Sequence, residues 1–436
     1  MKDVLLINMA SALDCHENFL DYNPALGILS IATMLELHGY RCIIKDYCYE
    51  SMDMEALCDI INKENIKIVT MTVYTINVDE ALEFAKYLKK SIKGLTIIFG
   101  GPHATLDSQY CYRSRYVDYV IKGEGEASAL ELIESIRSEF KTITPEQIPG
   151  ICYSDKSGKV EKEVCETINN LDLLPIIKRE LVGIERYFDT INISSSRGCP
   201  AKCIYCAGSV LGGKRYRIRE IENVILEIIH IKSKLKDKIR LIYFIDDTFT
   251  VFKKRVFRFL KLRKLFNIDY SWRCESRLDI MDTDILDAIS DNGCLAIHFG
   301  VESGSQYVLN HIQKRIKLEK AVEIIKYATT KKMLVCCYFM LAHYCDTLDT
   351  MKETCALIRE LVDNYNIDAT LHYNTPYPGT FQYENKDELG IRMMSEDFRD
   401  FLGYKPLIET DNFTIEEQEE IYISIKQYLN RSEFYV

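Results

Sequence analysis

Three cysteines stand in the run Ser196-Arg197-Gly198-Cys199-Pro200-Ala201-Lys202-Cys203-Ile204-Tyr205-Cys206. Spacings of four and three residues let a single loop wrap three thiolates round a metal centre, with Gly198 and Pro200 bending the backbone. Thiolates are soft ligands that suit iron–sulfur clusters, zinc or copper(I). With 16 Cys in 436 residues, this spacing arises by accident about 0.02 times. The competing readings are a structural zinc or simply buried thiols. Structural zinc takes four ligands, and Cys165 and His230 both stand far along the chain. Three ligands leave one position open, and on a cubane cluster that is an iron free to bind a cofactor or substrate.

Other polar groups fall where strands end. Phe244-Ile245-Asp246-Asp247-Thr248-Phe249 carries paired acids that can accept from an ammonium or hydroxyls, or serve as a helix N-cap and a solvated acid. In His298-Phe299-Gly300-Val301-Glu302-Ser303-Gly304-Ser305, Gly300 allows close backbone approach, and Glu302 and Ser303 can bond a ligand or cap a helix. Arg277, in Trp272-Arg273-Cys274-Glu275-Ser276-Arg277, can pair with a carboxylate ligand or sit in a structural ion pair. Lys253-Lys254-Arg255, with Arg258, Lys261, Arg263 and Lys264, is interleaved with Val256, Phe257, Phe259 and Leu260. That pattern reads first as an amphipathic barrel helix with a cationic outer face, and second as a contact for nucleic acid or membrane.

The elements that must position these groups follow from hydrophobic patterning. Strand-like runs at 4–7, 42–44, 66–71, 95–99 and 117–121 alternate with helical patterns after Pro24, over 52–63, over 78–90 and after Gly123. Such alternation predicts a doubly wound parallel sheet, with ligands at the carboxyl ends of its strands. Residues 141–189 lose the pattern and are punctuated by Pro145, Pro149, Gly150, Gly158 and Pro175. They read as a linker with a hairpin at 151–164. A second series has strands at 191–193, 241–245, 270–274, 295–299, 334–339 and 369–373. Six βα units predict a parallel barrel or partial barrel with its chemistry at the C-terminal strand ends. Residues 381–436 read as an irregular segment and then a helix over 415–430.

Composition bounds the rest. The chain is 47% apolar, with 55 Lys plus Arg against 65 Asp plus Glu and a net charge of −10. That balance argues against a protein built mainly to grip nucleic acid. The apolar run at 4–7 is too short for a signal segment, and no stretch approaches the ~18 apolar residues of a membrane span. The expectation is a reduced, cytoplasmic protein whose cysteine cluster binds metal.

The cysteine loop after the first strand of the second series, with an aromatic before its last Cys, resembles the radical S-adenosylmethionine superfamily. The resemblance implies a four-iron, four-sulfur cluster on Cys199, Cys203 and Cys206, its open iron chelated by S-adenosylmethionine. It implies a cofactor site formed by Tyr205, Asp246, Asp247, Arg277, Glu302 and Ser303. Thr375-Pro376-Tyr377-Pro378-Gly379-Thr380 is similar to a turn of that family. Ala342-His343-Tyr344-Cys345-Asp346-Thr347 departs from the Gly-x-Pro-Gly-Glu-Thr turn common in relatives, so His343, Tyr344 or Cys345 could face the substrate.

Four N-terminal segments resemble the cobalamin-binding domain that precedes the barrel in one subgroup. They hold Leu26 and Gly27; Thr70 and Thr72; Gly100, Gly101, Pro102, His103 and Thr105; and Gly123, Glu124 and Gly125. The implied architecture is an α/β chain: a doubly wound Rossmann-like cobalamin domain (1–140), a linker (141–189), a (β/α)6 partial TIM barrel (190–380), and a helical extension (381–436) that helps shape the substrate pocket. Asp14-Cys15-His16-Glu17-Asn18-Phe19 lacks the glycine of the cobalt-ligating motif, so cobalamin is expected without a protein histidine. The implied function is methylation of an unactivated carbon of a small molecule or peptide, through a 5′-deoxyadenosyl radical and methylcobalamin. Its reductant would be a flavodoxin- or ferredoxin-type donor. A non-methylating cyclase or rearrangement enzyme and a non-catalytic sensor are the alternatives.

Overall fold

The computed structural model describes residues 2–9, 23–48, 50–155, 158–160, 167–183, 190–213, 215–235 and 238–429. The His16 segment and Cys165 lie outside them. The chain divides into two compact units, 1–188 with 210–213, and 189–209 with 214–436.

The first unit runs β1 (Lys2–Asn8), α1 (Leu26–Leu37), β2 (Tyr40–Asp46), α2 (Met54–Lys63), β3 (Ile68–Thr72), α3 (Val78–Ser91), β4 (Thr96–Gly100), α4 (Pro102–Leu106), α5 (Ser108–Tyr112), β5 (Tyr119–Ile121), α6 (Gly125–Arg137), β6 (Ile151–Asp155) and β7 (Gly158–Val160). Its sheet has the order β2-β1-β3-β4-β5-β6-β7. The first five strands are parallel. Val4 to Ile7 are wholly buried, as a strand covered on both faces requires. On one face Ile28, Ala32 and Leu35 of α1 share a core with Ala129, Leu132 and Ile133 of α6. Asp53 starts α2 by accepting from the amides of Glu55 and Ala56 at 3.1 and 3.0 Å. Part of the stretch expected as a linker joins this sheet: β6 pairs antiparallel with β5, and β7 with β6. Ile148 and Ile151 bury their side chains in the same core, which draws the segment onto the open edge.

The second unit runs β8 (Thr190–Ile193), β9 (Ser196–Arg197), α7 (Gly208–Leu211), β10 (Arg217–Ile218), α8 (Ile221–Leu235), β11 (Leu241–Phe244), α9 (Lys253–Leu265), β12 (Ser271–Ser276), α10 (Thr283–Asp291), β13 (Cys294–Glu302), α11 (Gln306–His311), α12 (Leu318–Thr329), β14 (Leu334–Leu341), α13 (Leu348–Tyr365), β15 (Asp368–Tyr373), α14 (Phe381–Glu384), β16 (Arg392–Met393), β17 (Ile408–Glu409) and α15 (Ile415–Leu429). β8, β11, β12, β13, β14 and β15 form one sheet in chain order, every pair parallel. This is the open (β/α)6 arrangement expected. The two-residue period of a strand sorts its side chains. Phe244 and Trp272 pack with Phe249 and Phe259 on the helix side, ring centroids 4.4–5.9 Å apart. The alternate positions carry a polar set. Tyr243 donates to Glu275 Oε1 at 2.6 Å, His298 Nδ1 meets Tyr338 Oη at 2.7 Å, and Arg273 lies over the Tyr243 ring. The C-terminal segment returns to the barrel, where Tyr422 of α15 stacks on Tyr373 of β15 at 4.2 Å.

Candidate active site

β8 leads through the β9–β10 ladder into the cysteine loop. Gly198 takes φ 84°, a left-handed backbone that glycine adopts without strain. Cys203 is buried, Cys199 half-buried and Cys206 exposed. Each sulfur has a polar neighbour. Thr248 Oγ1 is 3.7 Å from Cys199 Sγ, the Gly208 amide donates to Cys206 Sγ at 3.3 Å, and Arg277 Nη1 donates to Cys203 Sγ at 3.9 Å. Hydrogen bonds of this kind tune the potential of a thiolate-bound cluster. Although Cys206 reaches solvent, desolvation by the surrounding protein pushes its thiol up to about 11, against the Gly208 amide that lowers it. Metal binding must displace that proton. Among the described residues, no three His, Cys, Asp or Glu side chains converge on a single metal ion. Three soft thiolates with donors to their sulfurs fit an iron–sulfur cluster.

The acid pair after β11 splits in two. Asp246 is buried and turned inward: its carboxylate accepts from the amides of Ser195 and Ser196 at 2.6 and 2.9 Å and from the Ser195 hydroxyl. Burial raises its pKa, and the Ser195 bonds oppose that rise. Asp246, expected at the cofactor, has both oxygens engaged by Ser195 and Ser196 and ties β11 to the strand leading to the thiolates. Asp247 is exposed. A Cβ on Gly208 would lie 3.3 Å from Cys206 Sγ and 3.9 Å from Asp247 Oδ1, so this acid stands beside the third thiolate. Arg277 is likewise committed: it forms a two-point pair with Asp279 at 3.0 Å and donates to Lys314 O at 3.0 Å, besides its contact with Cys203. Burial works against its charge, but Asp279 outweighs burial and raises its pKa.

Glu302 closes β13 in an unusual conformation, φ 71°, after a register shift between Gly300 and Glu302. Its carboxylate is buried and meets Lys314 Nζ at 2.6 Å. A Cβ on Gly300 would lie 2.3 Å from Glu302 Oε1 and 2.7 Å from Lys314 Nζ, so only glycine leaves room for this pair. Ser303, expected at the cofactor, is buried against α13, its hydroxyl 3.2 Å from Thr354 Oγ1. Burial, then the Glu302 charge, pushes the Tyr205 phenol well above its usual range.

The Tyr205 ring lies 5.4 Å from that of His343. His343 is wholly buried, and neither of its ring nitrogens has a partner among the described residues. Desolvation lowers its pKa to about 4. Thr375 Oγ1 and both amide atoms of Gln382 are buried and unpartnered too. These groups lie close together. The Asn374 backbone N–H donates to Leu341 O across the ends of β14 and β15, and the Gln382 backbone N–H donates to Ile204 O in the cysteine loop. Each buried polar group without a partner costs about 1–3 kcal/mol, so these groups suit a polar ligand. Sequence reading marked His343, and placed Thr375 in a turn. It missed Lys314 and Gln382, which no local motif distinguishes.

In the first unit, Thr72, Gly100, Gly101 and Gly123 lie at or just beyond the carboxyl ends of β3, β4 and β5, beside the reversal of strand order between β1 and β3. Thr70 is two residues inside β3. Gly101, at φ 97°, lies where a Cβ would come within 2.8 Å of Thr72 Cγ2. Pro102 opens α4. Leu26 and Gly27 open α1, and Gly27 is exposed, with nothing among the described residues within 4 Å of a Cβ there. Other expected contacts serve the rim itself. His103 is buried with Nδ1 3.1 Å from Thr75 Oγ1. Thr105 donates to Gly101 O and accepts from the Gly123 amide. Glu124 accepts from the Ile168 amide at 2.7 Å, and Gly125 lies under Ile31.

The sequence matches the Radical SAM superfamily over residues 193–358 and the B12 binding domain over 17–133. It is 30% identical over 407 residues to an uncharacterised methyltransferase, PH0819, of Pyrococcus horikoshii, covering 90% of this chain and 85% of that protein. It is 23% identical to the anaerobic magnesium-protoporphyrin IX monomethyl ester cyclase of Rubrivivax gelatinosus, over 89% of this chain and 70% of that one. The fold is similar to that of the radical S-adenosylmethionine methyltransferase TsrM from Kitasatospora setae, with a TM-score of 0.75, 16% identity, and 91% and 79% of the two chains covered. This chain belongs to the cobalamin-dependent radical S-adenosylmethionine enzymes of methyltransferase type, whose cofactors are a four-iron, four-sulfur cluster, S-adenosylmethionine and cobalamin.

Proposed function

We propose that this enzyme methylates an unactivated carbon of a small molecule or peptide, with its cluster on Cys199, Cys203 and Cys206. The observation that carries this reading is a loop of three soft thiolates at the carboxyl ends of a parallel barrel, with buried polar groups lacking protein partners on the segments next to it. When bound, the cofactors supply one-electron cleavage of the sulfonium to a 5′-deoxyadenosyl radical and a transferable methyl group. The protein's part is position and electrostatics. Asp247, beside the third thiolate, would accept from the cofactor's ammonium. Arg277 offsets the negative charge at Cys203. Glu302 and Lys314 hold the floor beneath Tyr205, and His343, Thr375 and Gln382 would bond polar cofactor atoms. Thr72, Gly27 and the Gly100-Gly101 turn would take cobalamin. The free thiols and low-potential chemistry suit the reducing cytoplasm.

The test is anaerobic protein reconstituted with iron, sulfide and cobalamin, then given S-adenosylmethionine and a reductant. Methyl transfer yields 5′-deoxyadenosine and S-adenosylhomocysteine together. The 23% identity to a cyclase makes ring formation the second reading, and it yields 5′-deoxyadenosine alone. Cys203→Ala should abolish deoxyadenosine. Zinc without inorganic sulfide in the wild-type protein would overturn the cluster assignment.

A further inference from the structure

α9, Lys-Lys-Arg-Val-Phe-Arg-Phe-Leu-Lys-Leu-Arg-Lys-Leu, has seven cations and no acid in a chain of net charge −10. Four of the seven have structural duties. Arg255 reaches Ser195 O at 2.8 Å, and Arg263 reaches the carbonyls of Asn292 and Tyr270. Lys253 pairs with Asp282 and Asp284, and Arg258 with Glu222. Lys254, Lys261 and Lys264 are exposed and have no ion-pair partner among the described residues. Helical spacing puts them on one side with Phe257, which is 41% exposed, while Phe252, 50% exposed, precedes the helix. A groove of about 510 Å³ opens beside Phe252, with Lys254, Arg255 and Arg258 in its lining against Glu220 and Glu222, the latter paired with Arg258.

This face is linked to the thiolates by three successive contacts. The Phe252 ring lies 5.7 Å from the Tyr216 ring. Tyr216 donates to Thr248 O at 2.9 Å. Thr248 Oγ1 is 3.7 Å from Cys199 Sγ. We propose that the outer face of α9 and the groove beside Phe252 form the docking site for an acidic one-electron carrier protein, and that the reducing electron enters through Phe252, Tyr216 and Thr248. The proposal rests on the cluster assignment above. One electron leaves the carrier's reduced centre and is used to break the S–C5′ bond, giving methionine and the 5′-deoxyadenosyl radical, with no proton transferred. Positive charge steers an acidic partner, and the exposed rings supply the apolar centre of the contact. An anionic membrane or nucleic acid would use the charge but would have no need of a path to Cys199.

The test uses the full-length, cluster-loaded protein and its Lys254→Glu/Lys261→Glu/Lys264→Glu variant. The probes are a purified flavodoxin and a purified ferredoxin. Biolayer interferometry should show binding of at least one probe that weakens with salt and falls about tenfold or more in the variant. Stopped-flow bleaching of the cluster by the reduced probe should slow by a similar factor, while bleaching by dithionite stays unchanged. Wild-type protein that binds neither probe, or a variant reduced as fast as wild type, overturns the proposal. So does a variant that loses binding only to phosphatidylglycerol vesicles or duplex DNA. Missing iron and sulfide would instead sink the cluster assignment, and interferometry would still report on the docking face.

Discussion

Lys314 and Glu302 are twelve residues apart in the chain, yet form a buried ion pair beneath the thiolate loop. Removing one member leaves the other charge uncompensated in a dry site. Lys314→Met should therefore cost about 3–5 kcal/mol, read as a lowered urea midpoint of the second unit. A loss under about 1 kcal/mol would show that water reaches Glu302. His343 behaves oppositely. Its imidazole is buried with two unpartnered nitrogens, so His343→Phe should leave the ligand-free protein as stable as wild type or up to about 2 kcal/mol more stable. The same change should weaken S-adenosylmethionine binding about tenfold, the trade-off of stability against function seen at binding sites. Thermal melts and equilibrium dialysis test the two halves separately, and unchanged affinity would remove His343 from the cofactor site.

At the scale of elements, strand ends and the turns after them decide which groups face a ligand. The turn from β4 into α4 needs Gly101 at φ 97°, and a Cβ would also stand 3.2 Å from the Val73 backbone. Gly101→Ala should destabilise the first unit by about 1–3 kcal/mol, followed by chemical denaturation; a neutral result would mean that the turn re-forms differently. The turn after β14 contains an acid with a pH signature. Burial raises Asp346 to about 7, against bonds from the Thr350 hydroxyl and the His343 amide that lower it. A raised carboxyl pKa means that the folded protein holds a proton the unfolded chain releases. The contribution is full below about pH 4 and is lost as pH rises through about 7. Between pH 5 and 8, wild type should lose stability relative to Asp346→Asn, and parallel curves would contradict that titration.

For the whole molecule, each unit has its own core, so heating should produce two transitions rather than one. Saturating cobalamin at about a hundred times its dissociation constant should stabilise the unit it binds by about 2.7 kcal/mol. Calorimetry would show this as an upward shift of the transition assigned to the first unit, and a shift confined to the other transition would reassign the corrin site. Much of this organisation is legible in the chain, because it is local. The thiolate triad lies on one loop, and a parallel sheet covered on both faces writes itself as short apolar runs between helical periods, so eleven of the strands stand where those runs are. Three things are not legible, because they depend on partners distant in sequence. Neighbours Asp246 and Asp247 look alike, but only folding turns the first onto Ser195 and leaves the second beside Cys206. The edge offered by β5 recruits 151–155, whose hairpin reads as part of a linker until an unpaired strand is there to receive it. The unpartnered polar groups of His343, Thr375 and Gln382 come from three segments with no shared motif. Sequence alone thus determined the chemistry and the order of layers, since ligand spacing and hydrophobic period are short-range. Tertiary structure alone decided which polar groups are used up and which are left for a ligand, since that depends on which distant chain segments satisfy them.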